Sequence, residues 1–320
     1  MRSSALVDAA LQPVLDLLPP IVLDTGTLPG IREGMDALFA SFPVPSAPVA
    51  TSRFTVRAEH LDREIEIRAY HPKNASQGRS AILHIHGGGF VMGSAGMMDA
   101  ANRHIVAELG CSVFSVDYRL SPETRHPGAL EDCYAAMAWL FDNAADQGID
   151  PRRIGVKGES AGGGLAAGLT LMARDRDRYK LAFAHLIYPM LDDRTCTSSA
   201  PHPFTGEFNW TPEHNVFAWT SILGYEPGGP ATPAYAAPSR AADLAALPPT
   251  FLSVGALDLF LEEDIEYARR LSRAGVAVEL HVYPGAFHAF DAFPNEAEVT
   301  KAALRDSLNA LRRSMAASTV

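Results

Sequence analysis

Gly158-Glu159-Ser160-Ala161-Gly162 is the stretch that decides how this chain is read. It follows residues 153–157 (RIGVK), a short run that reads as a buried strand. It opens residues 161–172 (AGGGLAAGLTLM), which read as a helix with a Gly/Ala-rich start. A serine held between strand and helix with a glycine two positions to either side is the G-x-S-x-G nucleophile elbow. Gly158 and Gly162 carry no Cβ, so strand and helix can approach closely while the serine is kept in a strained conformation. The helix start also offers free N–H groups and positive dipole where an oxyanion would form.

Upstream, the apolar strand at 81–85 (AILHI) runs directly into His86-Gly87-Gly88-Gly89-Phe90. Three consecutive glycines expose backbone N–H groups that no side chain can block. Acyl transfer needs such donors, because charge grows on the carbonyl oxygen as the tetrahedral intermediate forms. A phosphate-cradling loop would need Gly-Lys-Ser/Thr or a G-x-G-x-x-G spacing at a helix start, and neither is present.

Of 11 histidines, His288 is the candidate general base, since it lies in Tyr283-Pro284-Gly285-Ala286-Phe287-His288 just after a strand at 277–282 (AVELHV). His281 and His84 fall inside strands and read as packed, hydrogen-bonded side chains. His84 and His86 stand two apart, as in half of a metal-binding H-x-H, but no Asp-His follows and no carboxylate cluster is near, so no metal site is expected. The orienting acid should lie at the carboxyl end of a strand, where catalytic groups of open α/β sheets gather. Asp258 does so, following the strand at 250–255 (TFLSVG). Glu262, Glu263 and Asp264 read instead as the polar start of the next helix, where acids suit the dipole. The chain order Ser160, Asp258, His288 is that of an α/β-hydrolase, not of the chymotrypsin or subtilisin types.

Beyond these motifs, the chain contains Asp117-Tyr118-Arg119-Leu120-Ser121-Pro122-Glu123, HPGALEDCYAAMAW at 126–139, DPRRIGVKGESAGGG at 150–164, Tyr188-Pro189-Met190 and the closing YPGAFHAF. Over nearly all of residues 50–320 it resembles the hormone-sensitive-lipase-like branch of the α/β-hydrolases, the bacterial family IV carboxylesterases. Small departures are Ser121 where alanine is usual, Leu259 in place of proline after the aspartate, and Ala289 in place of glycine after the histidine. The resemblance implies serine esterase chemistry: Ser160 as nucleophile, His288 as base, and Asp258 holding the imidazole tautomer. It also implies an oxyanion hole from the N–H groups of Gly88, Gly89 and Ala161. No metal or organic cofactor is implied, and the partner is a small ester, short-chain by analogy with the bacterial relatives. An amidase or lactonase could use the same triad, and a ligand-binding receptor could share the scaffold, although a receptor would be free to lose a triad residue.

Composition sets outer bounds. With 47% hydrophobic and 20% charged residues the chain suits a soluble protein with a large core. A net charge of −10 argues against nucleic acid. Three scattered cysteines imply no disulfide framework. Residues 5–18 (ALVDAALQPVLDLL) approach a signal peptide, but Asp8, Gln12, Pro13 and Asp16 interrupt the apolar core. Leu11, Val14, Leu15 and Leu18 share one face of an amphipathic helix instead. No run approaches a membrane span, and a cytoplasmic protein, possible as a homodimer, is expected.

The rest alternates. A hairpin at 53–59 and 64–70 is followed by strands near 81–86, 113–118, 153–158, 182–188, 250–255 and 277–283, with helical patterns between them. This predicts a mostly parallel eight-stranded sheet, helices on both faces and the antiparallel hairpin at one edge. Residues 1–50 and 191–228 do not fit the sheet. The family resemblance makes them two parts of a helical cap over a core of 51–190 and 229–320, with Phe208, Trp210, Phe217 and Trp219 as candidate pocket walls. Asp117, Arg119 and Glu131 are expected to form structural ion pairs, and Glu159 to tune hydrogen bonding in the elbow or to serve structure alone.

Overall fold

The computed structural model describes residues 3–18, 21–43, 47–58, 63–74 and 76–317. Eight strands run in chain order: β1 (Val49–Ala58), β2 (Arg63–Pro72), β3 (Arg79–Ile85), β4 (Ser112–Asp117), β5 (Ile149–Glu159), β6 (Ala184–Ile187), β7 (Thr250–Gly255) and β8 (Val278–Tyr283). The helices are α1 (Gln12–Leu17), α2 (Leu28–Ser41), α3 (Asp99–Leu109), α4 (Gly128–Asp142), α5 (Ala161–Arg176), α6 (Pro212–Leu223), α7 (Leu261–Arg273) and α8 (Glu298–Ala317). No helix among the described residues is long and apolar enough to cross a membrane.

The strands form one sheet in the order β1-β2-β4-β3-β5-β6-β7-β8. β1–β2 and β2–β4 are antiparallel, and every other pair is parallel. The residue patterns account for this division. β2 alternates, with Ile65, Ile67 and Ala69 buried between partly exposed Glu66 and Arg68, as an outer strand with one wet face requires. In β3 every residue from Ser80 to Ile85 is buried, as expected of a central parallel strand covered on both faces. The glycines and alanines of α5 let it lie flat on the sheet, and each residue from Ala161 to Ala173 is buried.

From β3 the chain steps outward to β4, then crosses back to β5 on the other side of β3. The connections leaving the carboxyl ends of β3 and β5 therefore diverge, opening the crevice where open α/β sheets place their ligands. Ile85 at the end of β3 pairs in register with Gly158 near the end of β5. The glycine loop and the elbow are thus neighbours because of strand order.

Two segments lie outside the sheet and touch one another. The expected amphipathic helix over 5–18 is broken into short 3-10 turns and α1 alone, with the Asp8 carboxylate accepting from the Ala10 N–H. Its apolar face is used as the sequence suggested: Leu11 and Val14 are buried with Phe208, Leu257, Phe287 and Phe290. Ser3 donates to Glu207, and the His214 ring hydrogen-bonds the Ile21 carbonyl at 2.9 Å. α2 is tied to the sheet side chiefly through Arg32, with Asp36 accepting from the Ser94 hydroxyl at 3.3 Å. Arg32 donates to the carbonyls of Val91 (2.7 Å) and Ser121 (2.8 Å) and forks onto both oxygens of Glu123. That guanidinium holds the Glu123 carboxyl down at about 2.

The ion pairs expected of Asp117, Arg119 and Glu131 are partnered differently. Arg119 grips Asp132, and Glu131 pairs with Arg176. Asp117 accepts from the Ala95 N–H. The reason is helical geometry: successive residues of α4 are rotated by about 100°, so Asp132 faces inward to Arg119 while Glu131 faces α5. Arg32→Ala should speed amide exchange throughout α2 while leaving β3, β5 and β6 protected. Unchanged exchange in α2 would show that its apolar contacts alone hold it.

Candidate active site

Ser160 sits at the turn from β5 into α5 with φ 55° and ψ −121°, a backbone conformation that L-residues rarely adopt. The turn is as tight as its glycines allow. A Cβ on Gly158 would be driven into the Gly162 carbonyl, and one on Gly162 into the carbonyls of Ile85 and His86. The strained residue is held by its own backbone, whose N–H donates to Ile187 (2.9 Å) and whose carbonyl accepts from Gly164 (3.0 Å) and Met190 (2.9 Å).

Three side chains from three loops meet there. Ser160 Oγ lies 2.9 Å from His288 Nε2, and His288 Nδ1 lies 2.8 Å from Asp258 Oδ2. All three are buried, Asp258 completely. The other Asp258 oxygen accepts from the Phe260 N–H at 2.9 Å, which fixes the carboxylate plane. With the carboxylate accepting from Nδ1–H, the Nε2 lone pair is left to face the serine hydroxyl. The loop carrying His288 is held by Asn209, whose amide donates to the His288 carbonyl at 2.8 Å. Three rings surround the imidazole: Tyr188 at 4.9 Å, Phe260 at 5.1 Å and Trp210 at 6.1 Å between centroids.

The glycine loop crosses in front of the elbow. Gly88 has φ 114° and Gly89 φ 60°. A Cβ on Gly88 would meet the Met92 carbonyl, and one on Gly89 the Trp210 ring. No hydrogen bond from the Gly88 or Gly89 N–H is found among the described residues. Ala161 opens α5, so its N–H has no intrahelical acceptor.

The rival acids prove to be more than a polar helix start. Glu263 is buried and accepts from the N–H groups of Leu191 (2.6 Å) and Asp192 (3.1 Å) and from the Thr195 hydroxyl, pinning the chain beyond β6. Asp264 is buried with neither oxygen hydrogen-bonded among the described residues. Burial, with the charges of Glu263 and Asp258 beside it, pushes its carboxyl well above the usual range.

The four aromatic candidates separate. Trp210 lies against Gly89 and near His288, with its indole N–H on Asn215, and Phe208 packs on Phe287 next to the histidine loop. Trp219 is a correction: it has no exposed surface and packs on Phe90, because it falls on the inward face of α6. Phe217 is half-buried against the same core cluster and likewise makes no ring contact with the triad.

His84 and Glu159 play the packed, hydrogen-bonded and structural parts expected of them, but sequence reasoning missed Lys157, which completes the support beneath the elbow. Glu159 accepts from His84 Nε2 at 2.9 Å and pairs with the Lys157 ammonium, while His84 Nδ1 meets the Ser115 hydroxyl at 2.8 Å. Burial drives His84 well below the ordinary histidine range and Lys157 down to about 8. A lysine inside an apolar strand pattern was the available signal, since a buried charge requires a partner.

Sheet order, elbow and hydrogen-bonded Ser-His-Asp line define an α/β-hydrolase. Residues 82–292 match the family model described as the alpha/beta hydrolase fold, and the chain belongs to that family. It is similar to the esterase LipI of Mycobacterium tuberculosis, 34% identical over 251 residues and 78% of each chain. It is also similar to an arylesterase of Saccharolobus solfataricus, 33% identical over 266 residues, 81% of this chain and 83% of that one. Among solved structures, a bacterial heroin esterase superposes with a TM-score of 0.91 at 39% identity, covering 97% of this chain and 98% of the other.

Asp258→Asn should leave the fold intact and lower turnover on the order of 10⁴-fold through a misoriented imidazole, whereas Glu262→Gln should cost little. Steady-state rates on one ester decide it, and a reversal of the two results would move the orienting role to α7.

Proposed function

We propose that this chain is a serine carboxylesterase that cleaves short- to medium-chain carboxylic esters by two-step acyl transfer. The observation that carries the proposal is the unbroken line from Ser160 Oγ through His288 to Asp258. Ester hydrolysis is the activity that the esterase relatives share, and the arylesterase and heroin esterase names point to the same bond.

In the first step His288 Nε2 takes the hydroxyl proton as Ser160 Oγ bonds to the ester carbonyl carbon. Asp258 stabilises the imidazolium that results. The negative charge on the former carbonyl oxygen is received by the N–H groups of Gly88, Gly89 and Ala161. Collapse breaks the carbon–alkoxy bond, and His288 passes its proton to the departing alcohol. Water then adds to the acyl-enzyme, losing its proton to His288, and the free acid leaves as Ser160 recovers the hydrogen. The Ser160–His288 and His288–Asp258 hydrogen bonds are already made, so little reorganisation opposes the proton transfers.

Residues 1–50 and 191–228 act in this reading as a two-part cap, with Trp210 and Phe208 walling the pocket. Amides and lactones share the serine chemistry, but the relatives' names favour esters. The interrupted apolar core of residues 5–18 supports a cytoplasmic enzyme, and the homodimer expected of it can be read by light scattering.

A fluorophosphonate should label Ser160 one-to-one and abolish ester turnover, and Ser160→Ala should be inactive; an active alanine variant would refute the assignment. Across p-nitrophenyl esters, kcat/KM should peak at about four to eight acyl carbons. Each buried methylene adds about 0.8 kcal/mol until the pocket is full, and longer chains then clash. A maximum at palmitate that rises at the onset of substrate micelles would identify a lipase with an interfacial lid instead.

A further inference from the structure

Tyr188 and Asp291 have no part in the mechanism above, yet both are built onto the histidine loop. Tyr188 follows β6 and has φ 36°, one of the few non-glycine residues at positive φ. Strain of this kind persists only where the surroundings impose it. Here the Tyr188 N–H donates to the Ser253 carbonyl, which commits the backbone and aims the ring. The ring meets the His288 imidazole edge-on, 4.9 Å between centroids at 67°. Its hydroxyl donates to Asp291 Oδ1 at 2.9 Å. Asp291 lies three residues beyond His288 in the same loop, so the hydrogen bond closes a loop from the end of β6 back to the histidine.

We propose that Tyr188 and Asp291 are positioning residues for His288, a hydrogen-bonded brace that fixes the imidazole independently of Asp258 and places a second negative charge beside the imidazolium. The inference rests on His288 being the general base. Asp258 grips the ring at Nδ1 and fixes its tautomer. Asp258 at Nδ1 and Ser160 at Nε2 hold the ring along one line, about which it can still rock, and the Tyr188 edge opposes that rocking alongside the Phe260 and Trp210 rings.

The second charge is held within a particular electrostatic setting. Burial pushes the Asp291 carboxyl up, while the Tyr188 hydroxyl and the charges of Lys157 and His288 oppose that shift. Charge coupling is mutual, so what favours the Asp291 anion when His288 is protonated also favours protonated His288 when Asp291 is ionised. The other charged groups bearing on the pair are Asp258 at the end of β7, beside Tyr188, and Lys157 of β5 with its partner Glu159. His104 of α3 lines the same cavity of about 280 Å³ as Asp291, Lys157 and Glu159. Lys157 is already paired with Glu159, so removing the Asp291 charge leaves the surroundings more positive.

Asp291→Asn separates charge from geometry, because its amide oxygen can still accept from Tyr188 while the negative charge is gone. Protonated His288 is then less favoured, and the base becomes available at lower pH. The rising limb of the kcat/KM–pH profile should therefore move to lower pH by about half a unit, the size of effect a single partly screened charge exerts at this range. Tyr188→Phe keeps the ring and deletes the hydrogen bond. It should lower kcat by about 3–10-fold with KM little changed, because only the transition state needs the ring held still. The double variant should lose less than the product of the two single effects, since both remove one brace.

A rising limb that stays in place or moves to higher pH in Asp291→Asn would overturn the charge role, and wild-type kcat in Tyr188→Phe would overturn the brace. If Asp291→Asn does not fold, the Tyr188→Phe split between kcat and KM still decides, as that change removes one oxygen and no packing. Fluorophosphonate labelling of both variants distinguishes failure of this proposal from failure of the triad reading. Variants that label at Ser160 and turn over normally refute the brace alone, whereas a wild-type chain that does not label refutes the triad.

Discussion

The approach of the α5 amino end to β3 is the constraint on which the site depends. Gly162 comes so near the carbonyls of Ile85 and His86 that no side chain could stand between them. Parallel pairing of β3 with β5 brings their carboxyl ends together, and that close contact is what lets Ser160 sit beside the glycine loop. Catalytic geometry is thus a consequence of backbone packing. The serine strain, the Ile187 and Met190 hydrogen bonds and the divergence of the two loops all follow from forcing a strand to turn into a helix within one residue.

Beneath that turn the protein spends buried polar groups freely. Lys157, Glu159, His84 and Ser115 form one connected set, and each has a hydrogen-bonding or ionic partner within it. A network of this kind is rigid when complete and costly when broken. It lies on β5 and β3, whose carboxyl ends carry the elbow and the glycine loop, and reaches β4 beside them. Its physical effect is to lock the relative register of these strands at the place where an error of an ångström would part serine from histidine.

Much of this was legible in the sequence because it is written in local patterns. Apolar runs bounded by glycine and proline marked the strands, and G-x-S-x-G, H-G-G-G and the Asp258–His288 spacing marked the loops that converge. What could not be read is direction. Glu131 and Asp132 are adjacent acids in one helix, and only the packing of α4 decides that the second meets Arg119. Trp219 and Trp210 are both aromatic residues of one segment, yet one lies on the inner face of α6 and the other lies over the glycine loop. Glu263 and Asp264 look like solvated helix-start acids until the tertiary fold covers them. The polar brace at Tyr188 depends on residues 103 positions apart, beyond any local pattern.

The placement of residues 3–18 also bears on how the chain acquires its structure. Ser3 reaches its partner Glu207 across 204 positions, and Ile21 meets His214 across 193. Leu11 and Val14 are buried by Phe208, Phe287 and Phe290, all far later in the chain. Contacts of such wide separation form late, because the entropy of closing the intervening loop must be overcome first. During synthesis the apolar face of this segment therefore waits uncovered while the sheet assembles. Asp8, Gln12 and Asp16 interrupt its apolar run, the kind of charged and polar breaks that limit the aggregation of such a segment while it is uncovered.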